Sequence, residues 1–340
     1  SVRNGTSVFT PSGSVAVESL SVGDTVIGGD GKPCKVLGVY PQGEKDVYKL
    51  TFCDGASVQC CEEHLWKVKQ GKDRFGDERT ADNWRVIPLH EIRAIDGDTP
   101  RPVKRVAVPT CVVEFNPREP AIDPYLLGVL IGDGHLRDNA VFFSSTDKEI
   151  VDSVESSIPR SCVVKHRSRC DYAITGKDHG RNELLGLLRS HGIAGKKSYE
   201  KFIPPGYLLN SVDVRIELLR GLMDTDGSCG DRRSRGEGGT GEYCTTSQQR
   251  ATDVEFLVRS LGGKCKTVWR TTSYTYLGVK KQGRPSARIR IRLPGFNPFR
   301  LNRKAERYAP PKSTSNYRIL HTIKPAGRAE CTCIAVDSPD

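Results

Sequence analysis

The chain has 340 residues, which is long for a single hydrophobic core and sufficient for two domains. Its net charge of +11 favours an anionic partner, although a generally basic surface would give the same composition. No run of about 18 apolar residues predicts a membrane span, and no apolar targeting run precedes the first strand, so secretion is not expected. The spacings of the twelve cysteines do not match structural zinc sites, which favours reduced thiols.

Residues 1–70 are predicted to be β-structure, because short apolar runs alternate with turn dipeptides. Three of these dipeptides have the composition of hairpin turns, namely Ser12-Gly13, Asp30-Gly31 and Asp54-Gly55. Residues 71–116 are polar and mixed, which predicts a linker or an insertion.

From residue 123 the pattern becomes helical and then repeats. Asp123-Pro124 and the apolar run after it predict a capped helix that ends in Asp133-Gly134. A second helix, from about residue 211, has the same ending in Asp226-Gly227. Each helix is followed by a strand-like segment, an amphipathic helix and a basic strand. The pattern therefore predicts one unit used twice, with halves at about 117–205 and 206–310, before β-structure returns at 311–340.

Small residues at a spacing of four lie on one face of each repeated helix: Gly128 and Gly132 in the first, Gly221 and Thr225 in the second. Such faces let two helices approach closely, which would bring the terminal carboxylates of Asp133 and Asp226 together. Two neighbouring carboxylates are hard ligands suited to Mg²⁺ and to metal-assisted phosphodiester cleavage. The alternative is an ordinary buried helix pair with solvated Asp-Gly turns.

The segments 126–134 and 219–227 resemble the two signature motifs of monomeric LAGLIDADG homing endonucleases. The resemblance implies αββαββα half-domains, a saddle-shaped β-surface on double-stranded DNA, and Mg²⁺-dependent double-strand cleavage that leaves short 3′ overhangs. Asp133 and Asp226 match the metal-binding acids of the family. Lys201, shortly before Ile203-Pro204, matches the lysine that would polarise the attacking water.

The positive charge is concentrated in strand-like segments that alternate with apolar residues, so that the basic side chains would share one face. Such a surface suits contacts with phosphates and base edges, and the alternative is a solvated outer sheet face. The second copy carries the stripe Arg288, Arg290 and Arg292. Its other candidates are Lys264, Lys266 and Arg270 on an earlier strand and Lys280, Lys281 and Arg284 in the turn between, and those of the first copy are Lys165, Arg167 and Arg169.

The outer β segments resemble inteins, the protein-splicing members of the Hedgehog/intein (Hint) class. Ser1 stands where the family places its nucleophile, usually Cys, and it is either native or engineered. His64 matches the histidine of the second motif, although Cys61 replaces the usual Thr, and Cys333 matches the residue that tunes the second half of the reaction. The final motif with its His-Asn does not occur before Asp340, so we expect splicing to be incomplete or inactive here.

Together these motifs predict an α+β protein. An all-β Hint domain would comprise 1–116 and 311–340, and a pseudo-two-fold LAGLIDADG endonuclease, 117–310, would be inserted in it. The expected partners are the DNA target site, the flanking extein and possibly a short C-terminal intein segment. We expect a monomer in the cytoplasm or wherever the host protein resides. Two alternatives stay open: a DNA-binding protein that has lost cleavage, and the N-terminal fragment of a split intein that acts in trans.

Overall fold

The computed structural model describes residues 1–70, 84–96, 106–136, 140–230, 240–276, 278–308 and 316–338. The chain divides into two compact units. The first, here called the β-unit, comprises Ser1–Asn116 and Thr314–Asp340, and the second, here called the repeat unit, comprises Pro117–Ser313. The chain thus combines helices and sheets, and no helix in the described ranges is long and apolar enough to cross a membrane.

The β-unit is built mainly of antiparallel strands. Their ranges are β1 (Val2–Arg3), β2 (Ser7–Thr10), β3 (Gly13–Ala16), β4 (Thr25–Ile27), β5 (Pro33–Phe52), β6 (Ser57–Cys61), β7 (Leu65–Gln70), β8 (Arg85–Pro88), β9 (Val106–Pro109) and β18 (Tyr317–Val336). An eight-stranded sheet has the order β4-β5-β6-β1-β18-β9-β7-β8, and β2 and β3 form a separate hairpin. The long strands β5 and β18 also pair with each other over most of their length.

The predicted turns in the first 70 residues are confirmed. Ser12-Gly13, Asp30-Gly31 and Asp54-Gly55 lie in the connections that join β2 to β3, β4 to β5 and β5 to β6. Gly31 and Gly55 have φ angles of 88° and 86°, a region that glycine adopts without steric cost.

The segment interpreted as a linker or insertion, 71–116, is partly integral to the β-unit. Its residues 71–83 and 97–105 lie outside the described ranges. The remainder contains β8, helix α1 (Leu89–Asp96) and β9. Leu89, Ile92 and Val106 are at most 1% exposed and belong to the same hydrophobic core as Leu50 and Leu320. These few buried residues anchor the segment in the sheet. The sequence did not indicate them because the segment as a whole is polar.

The repeat unit contains two sheets and most of the helices. Its helices are α2 (Pro124–Asp133), α3 (Lys148–Ser157), α4 (Glu183–Ser190), α5 (Pro205–Leu208), α6 (Val212–Thr225), α7 (Gln248–Ser260) and α8 (Asn302–Ala305). Its strands are β10 (Gly134–His135), β11 (Val141–Ser144), β12 (Cys162–Ser168), β13 (Asp171–Gly176), β14 (Gly227–Cys229), β15 (Gly241–Thr245), β16 (Lys264–Tyr276) and β17 (Val279–Arg292).

The two sheets of the repeat unit have matching strand orders, β10-β11-β13-β12 and β14-β15-β17-β16. Their registers match as well. Gly134, directly after α2, pairs with Phe143, and Gly227, two residues after α6, pairs with Tyr243. This register assigns corresponding positions in the two halves.

The helices α2 and α6 begin as their sequences predict. The Asp123 side chain accepts a hydrogen bond from the Leu126 amide, and that of Ser211 accepts one from the Val214 amide. Pro124 occupies the first turn of α2, where its missing N–H costs nothing. Residues from both helices and both sheets form one continuous hydrophobic core, so each half is stabilised by the other.

Candidate functional site

The helices α2 and α6 pack with their backbones in direct contact. A Cβ atom added at Gly128 would lie 2.4 Å from the Leu218 carbonyl oxygen, and one at Gly221 would lie 2.2 Å from that of Tyr125. A Cβ at Gly132 would lie 2.0 Å from the Thr225 hydroxyl. The small residues recognised in the sequence therefore line this interface, because no larger side chain fits there.

The glycines after the two carboxylates serve the same kind of close approach. Gly134 is not in the left-handed conformation typical of a helix C-terminus, since its φ is −73° and it begins β10. A Cβ at Gly134 would lie 2.2 Å from the Leu130 carbonyl oxygen, and one at Gly227 would lie 2.4 Å from that of Met223. Both glycines thus let a strand leave directly over the last helical turn.

Asp133 and Asp226 interact electrostatically at the ends of α2 and α6. Partial desolvation and then the charge of Asp226 raise the pKa of Asp133, although its side chain remains exposed. Desolvation is also the main cause that raises the pKa of the half-buried Asp226, and Arg250, Lys201 and Lys304 oppose it. Carboxylates whose ionised form is disfavoured by desolvation or by a neighbouring carboxylate gain most from a bound cation.

Lys201 lies beneath the end of α2. Its side chain is 2% exposed, and its ammonium group donates to the carbonyl oxygens of Leu130, Ile131 and Gly134 at 3.0, 3.1 and 2.6 Å. Burial, followed by Arg250, lowers the pKa of Lys201 to about 8, while Asp226 and Asp133 raise it. The lysine therefore neutralises the negative end of a helix dipole directly below the carboxylates.

Lys304 occupies the same place under α6, and the sequence analysis missed it. Its ammonium group donates to the carbonyl oxygens of Asp224 and Gly227, each at 2.6 Å, and to that of Met223 at 3.1 Å. Lys304 lies in α8 without the Ile-Pro that marks Lys201, so only its correspondence with Lys201 in the repeat could have indicated it.

Arg250 is a second residue that the sequence analysis missed. It is 1% exposed, its guanidinium donates to the Ile131 carbonyl oxygen at 2.6 Å, and it lies 3.4 Å from an Asp226 carboxylate oxygen. Arg250 therefore joins the end of α2 to the carboxylate that follows α6. Buried arginines usually have such a fixed set of acceptors, because their charge is never lost.

The pair Asp133 and Asp226 fits a divalent cation that also binds a substrate. Among the described residues, no group of three or more His, Cys, Asp or Glu side chains could hold a metal by itself. Mg²⁺ commonly takes one or two protein carboxylates and completes its shell with water and substrate phosphates. The exposed Asp133 and the half-buried Asp226 match that arrangement. A bound cation would offset the repulsion between the two carboxylates.

The second sheet presents the predicted arginine stripe to solvent. Along β17, Arg288, Arg290 and Arg292 are exposed, whereas Ile289 and Ile291 are fully buried. On β16, Lys264 lies opposite Arg292 and Lys266 lies opposite Arg290, and both lysines share this solvent-facing side. The alternation predicted from the sequence is therefore present in the structure.

The neighbouring basic residues lie on strands and not in a turn. Lys280, Lys281 and Arg284 were predicted to occupy the turn, but β17 starts at Val279 and includes all three. Arg270 is exposed near them on β16. The hairpin is longer than predicted because its polar distal part has no apolar alternation that would identify it as strand. The Arg284 guanidinium stacks on the Tyr199 ring at 3.8 Å.

The first sheet carries less positive charge at corresponding positions. Lys165 is exposed on β12, but a register irregularity between His166 and Ser168 interrupts the pairing at Arg167. Arg169 follows the end of β12 with a φ of 45°. The prediction that Lys165, Arg167 and Arg169 alternate along one strand is therefore wrong beyond His166, since the bulge and the turn change the direction of the later side chains.

The β-unit brings Ser1 next to Cys61. The Ser1 hydroxyl lies 3.0 Å from the Cys61 sulfur, and the Cys61 amide donates to the Ser1 carbonyl oxygen at 3.2 Å. The interaction follows from the sheet, because Val2 pairs with Cys60 on one side and with Thr332 on the other. Cys61, the departure from the intein motif, is thus a direct partner of the candidate nucleophile.

His64 lies close to the same amino terminus. Burial and then the positive charge of the amino terminus lower the pKa of His64 to about 4, so its imidazole is neutral at pH 7. The ring packs edge-on against Trp66 with centroids 5.3 Å apart. A neutral imidazole in this place can donate or accept a hydrogen bond, depending on its tautomer.

Strand β18 carries two cysteines near Ser1 in sequence register, and one of them, Cys331, interacts with Ser1. Arg3 pairs with Cys331 and Val2 with Thr332, so the register continues from Ser1 towards Cys333. Cys331 is buried and its thiol interacts with the Ser1 side chain, while burial raises its pKa. Cys333 is half-buried and directs its sulfur to the Ile334 carbonyl oxygen at 3.9 Å.

No protein-family model matches the chain. Over 97% of its length the chain is 26% identical to the replicative DNA helicase DnaB of Mycobacterium intracellulare, of which the match covers 54%. Over 67% of its length it is 28% identical to protein RecA of Mycobacterium tuberculosis, of which the match covers 27%. The chain therefore spans about half, or less, of the curated relatives that it matches.

The similar solved structures are inteins and a homing endonuclease. The gp41-1 intein is 36% identical over 20% of this chain and 52% of that chain, with a TM-score of 0.19. Mesophilic variants of the homing endonuclease I-DmoI are 12% identical over 50% of this chain and 82% of theirs, with a TM-score of 0.30. A structure of I-DmoI in complex with DNA and Mn is 13% identical over 50% and 88%, with a TM-score of 0.27. These proteins belong to the two families that the motifs resemble.

Proposed function

We propose that this chain is an intein that carries a LAGLIDADG homing endonuclease. In this proposal the repeat unit is a pseudo-two-fold nuclease inserted into a Hint splicing domain, and it cuts double-stranded DNA at the intein insertion site with Mg²⁺. The observation that carries the proposal is the meeting of α2 and α6, which end in the coupled carboxylates Asp133 and Asp226 above Lys201 and Lys304.

The coverage of the curated relatives supports the proposal that this chain is a segment within longer host proteins. Almost the whole chain aligns with about half of a helicase, and two thirds of it aligns with about a quarter of RecA. A helicase and RecA have different names and lengths, yet each matches the same chain. An intein would produce this pattern, because its sequence is independent of the host that it interrupts.

Each residue of the nuclease site has a defined part in phosphodiester hydrolysis. Asp133 and Asp226 would hold the divalent cation, which supplies charge neutralisation at the scissile phosphate when it is bound. Lys201 and Lys304 keep positive charge beneath the carboxylates, and Lys201 is the candidate that acts on the attacking water. Its contacts with backbone carbonyls favour an electrostatic influence on that water.

The pKa shifts predict the limits of the active pH range. Both aspartates have raised pKa values, so their ionised form, which a cation requires, is lost as the pH falls. Lys201 has a lowered pKa of about 8, so its positive charge is lost as the pH rises above that value. We therefore expect cleavage to be greatest between these two limits.

A cleavage and binding assay tests the nuclease on a randomised double-stranded DNA library with Mg²⁺. Asp133→Asn and Asp226→Asn should each reduce double-strand cutting by at least about a hundredfold, while sequence-specific binding persists and weakens steeply with salt. Asp152→Asn, an exposed carboxylate on α3, is the matched control and should cut normally. Undiminished cutting by either site variant would contradict the assignment, and specific binding without any cutting by the unaltered chain would favour a nuclease that has lost its activity.

Protein splicing is a second candidate function, and the contacts of Ser1 favour it. In a precursor, the Ser1 hydroxyl oxygen would attack the preceding carbonyl carbon, the C–N bond would break, and the hydroxyl proton would pass to the Ser1 nitrogen. His64 would assist the transfer of the proton to that nitrogen. An amide at this position lacks the ammonium charge that depresses the pKa of His64, so this pKa should be higher in the precursor than about 4. Cys333 would act in the later steps.

A fusion of a reporter domain to the amino terminus of the chain tests this chemistry. Hydroxylamine should release the reporter by trapping the ester, and Ser1→Ala or His64→Ala should prevent release. His90→Ala, at an exposed position of α1, is the control. Equal release by all variants would contradict the splicing site, and addition of a short C-terminal intein segment would reveal splicing in trans.

A further inference from the structure

The solvent-facing rows of the two sheets differ in chemistry at positions that the register makes equivalent. In the second sheet, one row across the strands consists of Ser228, Glu242, Arg290 and Lys266. In the first sheet, the corresponding row consists of His135, Phe142, Ala173 and Lys165. The lysine at the end of each row is retained, whereas the central pair changes from Phe and Ala to Glu and Arg.

Glu242 is an acid among the exposed basic residues of the second sheet. One of its carboxylate oxygens lies 3.3 Å from Arg288 and the other lies 3.8 Å from Arg290. Its side chain is 27% exposed, and those of Arg288 and Arg290 are 45% and 73% exposed, so all three can reach a ligand. A carboxylate repels phosphates, so non-specific DNA contact alone does not account for its position.

A role in base recognition accounts for both the acid and its partners. In the major groove, a carboxylate accepts a hydrogen bond from the cytosine N4 amino group, and arginine donates to guanine O6 and N7. Glu242 pairs with both arginines at the sheet surface, so the acid and the two donors stand side by side where the edges of one base pair could meet them. The row of the second sheet is therefore suited to G·C pairs.

The corresponding row of the first sheet has an apolar centre. The Phe142 ring is half-buried and packs edge-on against His135 with centroids 6.2 Å apart. Ala173 lies beside Phe142 and is 1% exposed, so the ring forms most of the accessible apolar surface there. Phe142 offers no hydrogen bond to a base edge, but its ring suits contact with the thymine methyl group.

We propose that the two sheets read different base pairs: Glu242, with Arg288 and Arg290, selects a G·C pair, and Phe142 selects an A·T pair through the thymine methyl group. This inference rests on the proposed endonuclease function. The retained lysines Lys165 and Lys266 contact the backbone on both sides, and the central residues determine the specificity of each half-site.

The test is selection of bound sites from a randomised double-stranded DNA library, without divalent cations, so that the DNA stays intact. The unaltered chain should enrich a site with a fixed G·C pair on one side of its centre and a fixed A·T pair on the other. Glu242→Gln should change the preference at the first position from cytosine towards adenine, since Gln pairs with adenine, with discrimination altered about tenfold. Phe142→Ser should relax only the second position.

Glu155→Gln is the matched control, because Glu155 is an exposed acid of α3, and it should leave the selected site unchanged. Thermal unfolding shows whether the Phe142 variant is folded, and the conservative Glu242 variant tests the inference independently. An unchanged site with Glu242→Gln, or changes at the same position with both variants, would overturn the inference while the endonuclease proposal stands. No enriched site with the unaltered chain would overturn both.

Discussion

In the first half of the repeat unit, the third residue after the N-cap of α3 is Ile150, which is buried in the core. At the same position of α7 in the second half stands Arg250, which pairs with Asp226 and binds the end of α2. Lys201 and Lys304, by contrast, make the same carbonyl contacts in both halves. The comparison indicates that the backbone frame and its buried lysines are common to the halves, while the residues around each carboxylate have become different.

Removal of the buried lysines should have the largest effect and should affect both halves alike. Lys201→Met and Lys304→Met each leave carbonyl oxygens at a helix end without donors, so we expect each to lower the free energy of unfolding by about 3 kcal/mol. Urea unfolding provides the measurement, with the exposed Lys196→Met as control. If only one of the two lysine variants is destabilised, the buried lysines do not stabilise the two halves equally.

A change at the interface that α2 and α6 share should have the second largest effect on the free energy of unfolding. Gly128→Ala places a Cβ 2.4 Å from the Leu218 carbonyl oxygen, so the helices must separate, at a cost of about 1–3 kcal/mol. Gly186 is also helical but has nothing within 4 Å of a Cβ, so Gly186→Ala should be neutral or stabilising by about 0.5–1 kcal/mol. Equal stabilities of the two alanine variants would contradict the close packing.

Removal of Arg250, which has no equivalent in the first half, should have the smallest effect. Arg250 lowers the pKa of Asp226 against the larger influence of desolvation, so Arg250→Met should raise this pKa. The acidic limit of DNA cleavage should then move to higher pH, because Asp226 must be ionised. The pH profile of cleavage is the measurement, and Arg259→Met on the same helix should leave it unchanged. An unshifted profile for Arg250→Met would show that Arg250 does not act through Asp226.

Local patterns in the sequence were sufficient for the elements that define the site. The caps of α2 and α6, the small residues between them and the alternating arginines of β17 follow from short-range rules, and all are present. Arg250 and Lys304 could not be predicted in this way. The backbone carbonyl oxygens that they bind belong to residues 119 and 77 positions away, and an arginine or lysine in a surface-like sequence gives no local sign of burial.

The remaining differences between the predictions and the structure also have specific causes. The bulge at Arg167 depends on pairing with β13, which no pattern within β12 reveals. The strands and helix of 84–109 are held by a few apolar side chains in a polar segment. The sequence predicts that α2 ends at Asp133-Gly134, but it does not reveal that the Leu130 carbonyl oxygen leaves no room for a side chain at Gly134. Each of these depends on tertiary contact.

The most direct test of the account is to map the DNA ends produced on a selected site with Mg²⁺ at neutral pH. We expect a break in both strands within the bound site, with short 3′ overhangs, because each half of the repeat unit contributes one carboxylate to the site. DNA that is bound at this site and left intact in both strands would contradict the claim that Asp133 and Asp226 form a nuclease centre.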